Sequence, residues 1–178
     1  MGVKNFWSLH VDEALVASEL KKQLSSDYEV FFPINSQLPD IDLIIYNLKN
    51  HKTKTIQVKS SQGYGAGGSN SSGHKVHKNK INPKIVDYFI FTSYFEVRQK
   101  KKNKMDIETH YVVIPTQKLL DLVNKTKIIS KGVCKFSFYL ESDNTLWEYW
   151  KPHMKSIYKK DGVSYEKYHN NIKSIINF

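Results

Sequence analysis

Pro39-Asp40-Ile41-Asp42-Leu43-Ile44-Ile45, followed after a short polar stretch by Thr55-Ile56-Gln57-Val58-Lys59, is the pair of segments that decides the fold. Ile41 to Tyr46 is a short apolar run, and Thr53 to Lys59 alternates with period two, so both read as strands. Asn47 to Lys52 between them is a polar turn. With that turn centred near Lys49 and Asn50, the strands pair as an antiparallel hairpin in which Asp42 stands opposite Gln57. Alternation then puts Asp40, Asp42, Gln57 and Lys59 on one face, and Ile41, Leu43, Ile56 and Val58 on the other. Opposed side chains on one face lie about 5 Å apart at Cβ. Two carboxylates, an amide and an ammonium group at one place suit a hard divalent cation with a phosphate.

Upstream, residues 5–24 read as a helix. Leu9, Glu13, Val16, Ala17, Leu20 and Leu24 form one stripe at helical spacing, with Glu19, Lys21 and Lys22 off it. A carboxylate on such a stripe is expensive unless it meets a cation or hydrogen bonds, so Glu13 either lies at the stripe's edge paired with a lysine or joins the hairpin's polar face. Tyr28 to Phe32 is a short strand ended by Pro33. Downstream, Ile85 to Phe91, His110 to Ile114 and Lys135 to Leu140 read as strands, and Lys100 to Lys104 as a lysine-rich turn. Thr116 caps a helix running through Leu119, Leu120 and Val123. The order of elements predicts an α/β (α+β) domain around a mixed sheet.

These blocks resemble the PD-(D/E)xK nuclease superfamily. The resemblance rests on the helix Asp12-Glu13-Ala14-Leu15-Val16-Ala17-Ser18-Glu19-Leu20, on Asp42-Leu43-Ile44-Ile45, and on Ile56-Gln57-Val58-Lys59-Ser60, in that order. Val86-Asp87-Tyr88-Phe89-Ile90 and Tyr111-Val112-Val113-Ile114-Pro115 look like the strands that follow, so roughly residues 9–120 are covered. It implies a restriction-endonuclease-like core with a mixed sheet flanked by helices. Residues 1–125 would form that core, with a mobile Gly/Ser/Lys loop at 60–84, and 126–178 a C-terminal extension of the same domain.

The activity implied is Mg2+- (or Mn2+-) dependent hydrolysis of DNA phosphodiesters, of restriction, repair or junction-resolving type. Asp42 would bind the metal, Glu13 would complete the shell, and Gln57 and the Val58 carbonyl would add oxygens. Lys59 would act on the attacking water and on transition-state charge. Asp40, directly after Pro39, is the weaker candidate for the metal aspartate. Gln57 departs from the commoner acid at its position. That leaves open a one-metal nuclease leaning on Glu13, or a nucleic-acid-binding module that has lost catalysis.

Composition agrees with a polyanionic partner. The 178 residues carry a formal charge of +10. Residues 49–104 hold thirteen basic residues against two acids, which leaves 14 basic and 15 acidic residues elsewhere. Such concentrated charge suits a polyanion such as nucleic acid through phosphate neutralisation, and argues against a merely structural basic protein. Lys75, Lys78, Lys80 and Lys84 are the expected contacts. Arg98 is the only arginine, so backbone contact is favoured over bidentate guanine reading. No apolar run reaches the roughly 18 residues of a membrane span. One cysteine, Cys134, and no visible secretory signal predict a cytoplasmic chain without internal disulfides.

Gly63-Tyr64-Gly65-Ala66-Gly67-Gly68 fits G-x-G-x-x-G formally, but Ser69 to Lys80 has no apolar face to make the helix a dinucleotide site needs. His74 and His77 read as solvated loop histidines, and Asp106 and Glu108 as exposed strand-edge charges. Cys134 has no neighbours that would make it a nucleophile. Trp147, Tyr149, Trp150, Tyr158, Tyr165 and Tyr168, interleaved with lysines, are expected in a core or a homodimer interface before a base-stacking platform.

Overall fold

The computed structural model describes residues 11–33, 40–61, 71–99, 104–126, 129–148 and 163–176. The expected start of the first helix, Gly63 to Gly68, the Lys100 to Lys102 stretch, and Tyr149, Trp150 and Tyr158 lie outside them. Helix α1 spans Val11–Gln23, with Asp12 and Glu13 in its first turn and Lys21 and Lys22 in its last, the arrangement that favours the helix dipole. Val16, Ala17 and Leu20 of the predicted stripe are buried, and so is Glu13.

Two sheets follow. The first runs β1 (Tyr28–Phe31), β2 (Leu43–Asn47), β3 (Thr53–Ser60), β5 (Tyr88–Gln99), β6 (Lys104–Pro115) in spatial order. Its β3–β5 pair is parallel and the others are antiparallel, so the sheet is mixed, as expected. The second runs β10 (Val163–Ser164), β9 (Leu146–Glu148), β8 (Val133–Leu140), β4 (Ser71–His77), with β7 (Ile129–Ser130) beside β8. Helix α2, Thr116–Thr126, follows β6 directly.

Side-chain alternation on β3 and β5 separates two cores. Ile56, Val58 and Ile90 pack with Val16, Leu20, Leu43 and Ile45 under α1. Phe89, Phe91 and Phe95 point the other way, onto Phe136 and Phe138 of the second sheet. The Phe91 ring centroid lies 5.2 Å from that of Phe136 and 5.5 Å from that of Phe138. The chain is thus layered as helix, sheet and sheet.

Three expectations need correction. Ser71 to His77 are not part of a mobile loop: they form β4, because Ser72, His74 and Val76 alternate inward against Phe138, Phe136 and Cys134 of β8. The strand after them starts at Tyr88, since Ile85 and Val86 close a turn onto the Asn82 carbonyl. Thr116 does not cap α2 with its side chain. It sits in the first turn with Oγ1 buried and without a hydrogen-bond partner, while its N–H bonds to the Asp87 carbonyl (2.8 Å).

The C-terminal segment reads as patternless in sequence, but residues 163–176 are docked. Asn170 N–H bonds to the Tyr111 carbonyl (2.7 Å) and Asn170 Oδ1 accepts from Tyr111 N–H (2.8 Å), so the segment covers the free edge of β6. Tyr165 is fully buried and donates to Glu148 Oε2 (2.9 Å), whose other oxygen accepts from Ser137 N–H (3.1 Å). A hydrogen bond to a carboxylate contributes about 1.5–3 kcal/mol. Tyr165→Phe is therefore expected to lower the unfolding free energy by that amount, read as a lower urea midpoint at an unchanged m-value. An unaltered midpoint would mean that Glu148 finds another donor.

Candidate functional site

The hairpin forms in the predicted register, and a local device explains why. Asn47 Oδ1 accepts from the N–H groups of Lys49 (2.8 Å) and Asn50 (3.2 Å), and Asn47 N–H bonds to the Lys52 carbonyl (2.9 Å). This Asx turn ties the loop, and Leu43 then pairs with Ile56. One step outward, Asp42 stands opposite Gln57, with Asp42 N–H still bonded to the Ile56 carbonyl (2.8 Å). Beyond that point β2 leaves the sheet, turning at Asp40, whose φ is +74°.

Asp42 replaces the missing strand. Its Oδ2 accepts the Val58 N–H (2.8 Å) and the Gln57 side-chain amide N–H, and both Asp42 and Gln57 are buried. Gln57 Nε2 also lies 3.4 Å from the Val58 carbonyl. The carboxylate is thus fixed at a fork in the sheet, where β3 continues to Lys59 without a β2 partner.

Lys59 is half-buried at this fork. Burial pushes its ammonium below the ordinary lysine value, against the pull of Asp42 and then Asp40; Lys80 adds to the fall and Glu13 opposes it. Glu13 contributes least of the three carboxylates. It arrives with α1 from the Ile56/Val58 side of the sheet, whereas Gln57 and Lys59 share the Phe89/Phe91 side. Asp40 is engaged elsewhere: Lys80 Nζ lies 2.8 Å from its Oδ1 and 3.2 Å from its Oδ2. Of the expected phosphate contacts, Lys75, Lys78 and Lys84 are exposed, and Lys80 is the one held beside the site.

The donor set beside Lys59 is one of hard oxygens: the Asp42 carboxylate, the Gln57 amide and the Val58 carbonyl; Glu13, expected to complete it, approaches from the other side of the sheet. These are oxygens of the kind Mg2+ takes. Among the described residues no three Asp, Glu, His or Cys side chains gather closely enough to hold a metal by themselves. A bound ion here would depend on the amide, the backbone carbonyl and water as well as on acids.

Sequence reasoning missed His74. It is 2% exposed and lies edge-on to Phe91, with Phe138 on another side. Its Nδ1–H donates to the Ser60 carbonyl (3.2 Å), and Nε2 lies 3.0 Å from the hydroxyls of both Ser72 and Ser93. Burial pushes its pKa down to about 4. The imidazole ties the end of β3, next to Lys59, to β4 and β5. The signal was the Ser72, His74, Val76 alternation, hidden by the neighbouring glycines and lysines.

A histidine pair joins β6 to the C-terminal segment. His110 Nδ1 is 2.7 Å from His169 Nε2 with the rings tilted by only 15°, and His110 Nε2 is 3.3 Å from Glu108. Asp87, in the turn before β5, accepts from Thr55 N–H (2.8 Å) and locks the start of β3.

No family model matches the chain, and neither a curated protein nor a solved structure does. The geometry therefore carries the functional argument by itself. Among the described residues no helix is long and apolar enough to cross a membrane.

Proposed function

We propose that the chain is a divalent-metal-dependent DNA endonuclease with a restriction-endonuclease-like core of the PD-(D/E)xK type, acting in the cytoplasm. One observation carries this reading: a lysine with a depressed pKa stands at a fork in a mixed sheet, next to an aspartate whose carboxylate is fixed by the facing strand.

Asp42, Gln57 and the Val58 carbonyl would hold Mg2+ or Mn2+, with water completing the shell, while Glu13 stays on the α1 side of the sheet. Gln57 would turn its amide by a half-rotation to offer oxygen in place of nitrogen. When bound, the ion supplies Lewis-acid activation of the phosphate and lowers the pKa of a coordinated water. The chain's own residues do the rest. Val58 N–H holds Asp42 in one orientation, so the site is preorganised before substrate arrives. Lys59 grips its proton less tightly than a surface lysine, which suits it to exchange a proton with the attacking water. While charged, it offsets the negative charge that builds on the phosphorus oxygens.

The Gln57 amide bonded to Asp42 favours a second reading: the carboxylate is satisfied without a metal, as in a binding module on the same fold that has lost catalysis. A plasmid-nicking assay separates the two. The expected result is cleavage with Mg2+ or Mn2+ that chelator abolishes. No cleavage of single-stranded, duplex or branched DNA with either ion would leave the binding module.

A further inference from the structure

Strands β4 and β8 pair antiparallel with Lys75 directly opposite Lys135. Their neighbours His74, Val76, Cys134 and Phe136 are buried, so alternation turns both lysines to the outer face, where both are exposed. Opposed side chains of an antiparallel pair are close, and like charges there destabilise the sheet. At the end of the same strands Lys78 N–H bonds to the Gly132 carbonyl (2.8 Å), which brings Lys78 and Lys131 to one corner. Among the described residues the lysine ion pairs belong to Lys21, Lys22, Lys49, Lys54 and Lys80. Lys75, Lys78, Lys131 and Lys135 have no ion pair among the described residues.

Gly73, paired with Ser137, is the next residue on that outer face. Glycine inside a strand costs stability. A side chain placed there would meet nothing within 4 Å, so the fold itself does not require it. Two choices that weaken the sheet therefore sit side by side on one exposed surface. Both are accounted for if an extended polyanion lies against that surface, since phosphates relieve the lysine repulsion and a flat glycine permits close approach.

We infer that the outer face of β4 and β8, with Lys75, Lys78, Lys131 and Lys135, is the docking surface for the phosphate backbone of duplex nucleic acid. The 3-10 turn Lys78–Lys80 leads from this face to Lys80, whose Asp40 partner acts on Lys59, so the backbone bound here continues toward the fork. The inference rests on the proposed nucleic-acid function but needs no catalysis.

The test measures binding of a short fluorescent DNA duplex in the presence of chelator, across a salt series, together with the melting temperature. Lys75→Gln/Lys135→Gln is expected to weaken binding about tenfold at low salt and to reduce the slope of log K against log salt by about 2. The same variant should melt about 1–3 °C higher, because the cross-strand repulsion is gone. The control Lys118→Gln/Lys125→Gln, on exposed positions of α2, should change neither binding nor slope. If the wild type binds with a steep slope and the double variant matches it, the docking surface lies elsewhere and the proposed function stands. Loss of binding accompanied by a lower melting temperature would make the lysines structural and overturn the inference. If the wild type shows no salt-dependent binding at all, the nucleic-acid function falls with it.

Discussion

Lys59→Ala is expected to slow metal-dependent DNA cleavage by about 10²–10³-fold, because one preorganised charge beside the transition state is removed. Metal affinity should change little, since an ammonium is no ligand. Asp42→Asn should behave differently. It abolishes cleavage and weakens the metal, because the neutral amide keeps an acceptor for Val58 N–H but loses the charge that attracts a cation. Gln57→Glu reverses the change and should tighten the metal by adding a carboxylate. Isothermal titration with Mg2+ or Mn2+ alongside cleavage rates distinguishes the three. Equal loss of metal affinity in Lys59→Ala and Asp42→Asn would show that both act through the fold rather than in separate roles.

Acid should destabilise the protein well before its carboxylates matter. His74 has a pKa of about 4 in the folded chain against 6.5 for an ordinary histidine, with burial the cause. The unfolded chain therefore takes up this proton first as pH falls. Stability from the neutral imidazole is complete above about pH 6.5 and is lost as pH drops toward 4, by about 3 kcal/mol in all. His169 is pushed the same way, to about 4, by burial first and then by His110, and its greater exposure makes its share smaller. Melting temperature measured between pH 7 and pH 4 should fall steeply. In His74→Gln the curve should start lower and fall less. An NMR titration placing His74 near 6.5 would overturn this account.

How much of the site was legible depended on how local its causes are. The register that sets Asp42 opposite Gln57 follows from period-two alternation and an Asx turn within a span of about twenty residues. The α1 stripe was legible for the same reason: Val16, Ala17 and Leu20 advertise their face by spacing alone. Glu13 was rightly marked as a carboxylate on a buried stripe. That it adds less than Asp42 and Asp40 to the Lys59 environment depends on which side of the sheet α1 covers. Asp40 showed the opposite limit. Its place in the motif made it a candidate ligand, but its partner Lys80 lies far along the chain and only the fold brings them together.

The amino-acid sequence by itself determined the hairpin, its register, the amphipathic first helix and the concentration of positive charge, because each is set by spacing over a few turns or residues. Only the tertiary structure decided that the glycine- and lysine-rich stretch contains an inward-facing strand. Ser72, His74 and Val76 have no core to face until Phe136 and Phe138 arrive from the C-terminal half. The same closure turned His74 from a surface histidine into a buried one held by Ser60, Ser72 and Ser93, and set Lys75 against Lys135. Burial and cross-strand pairing are properties of two distant segments at once, and local pattern carries no record of the partner.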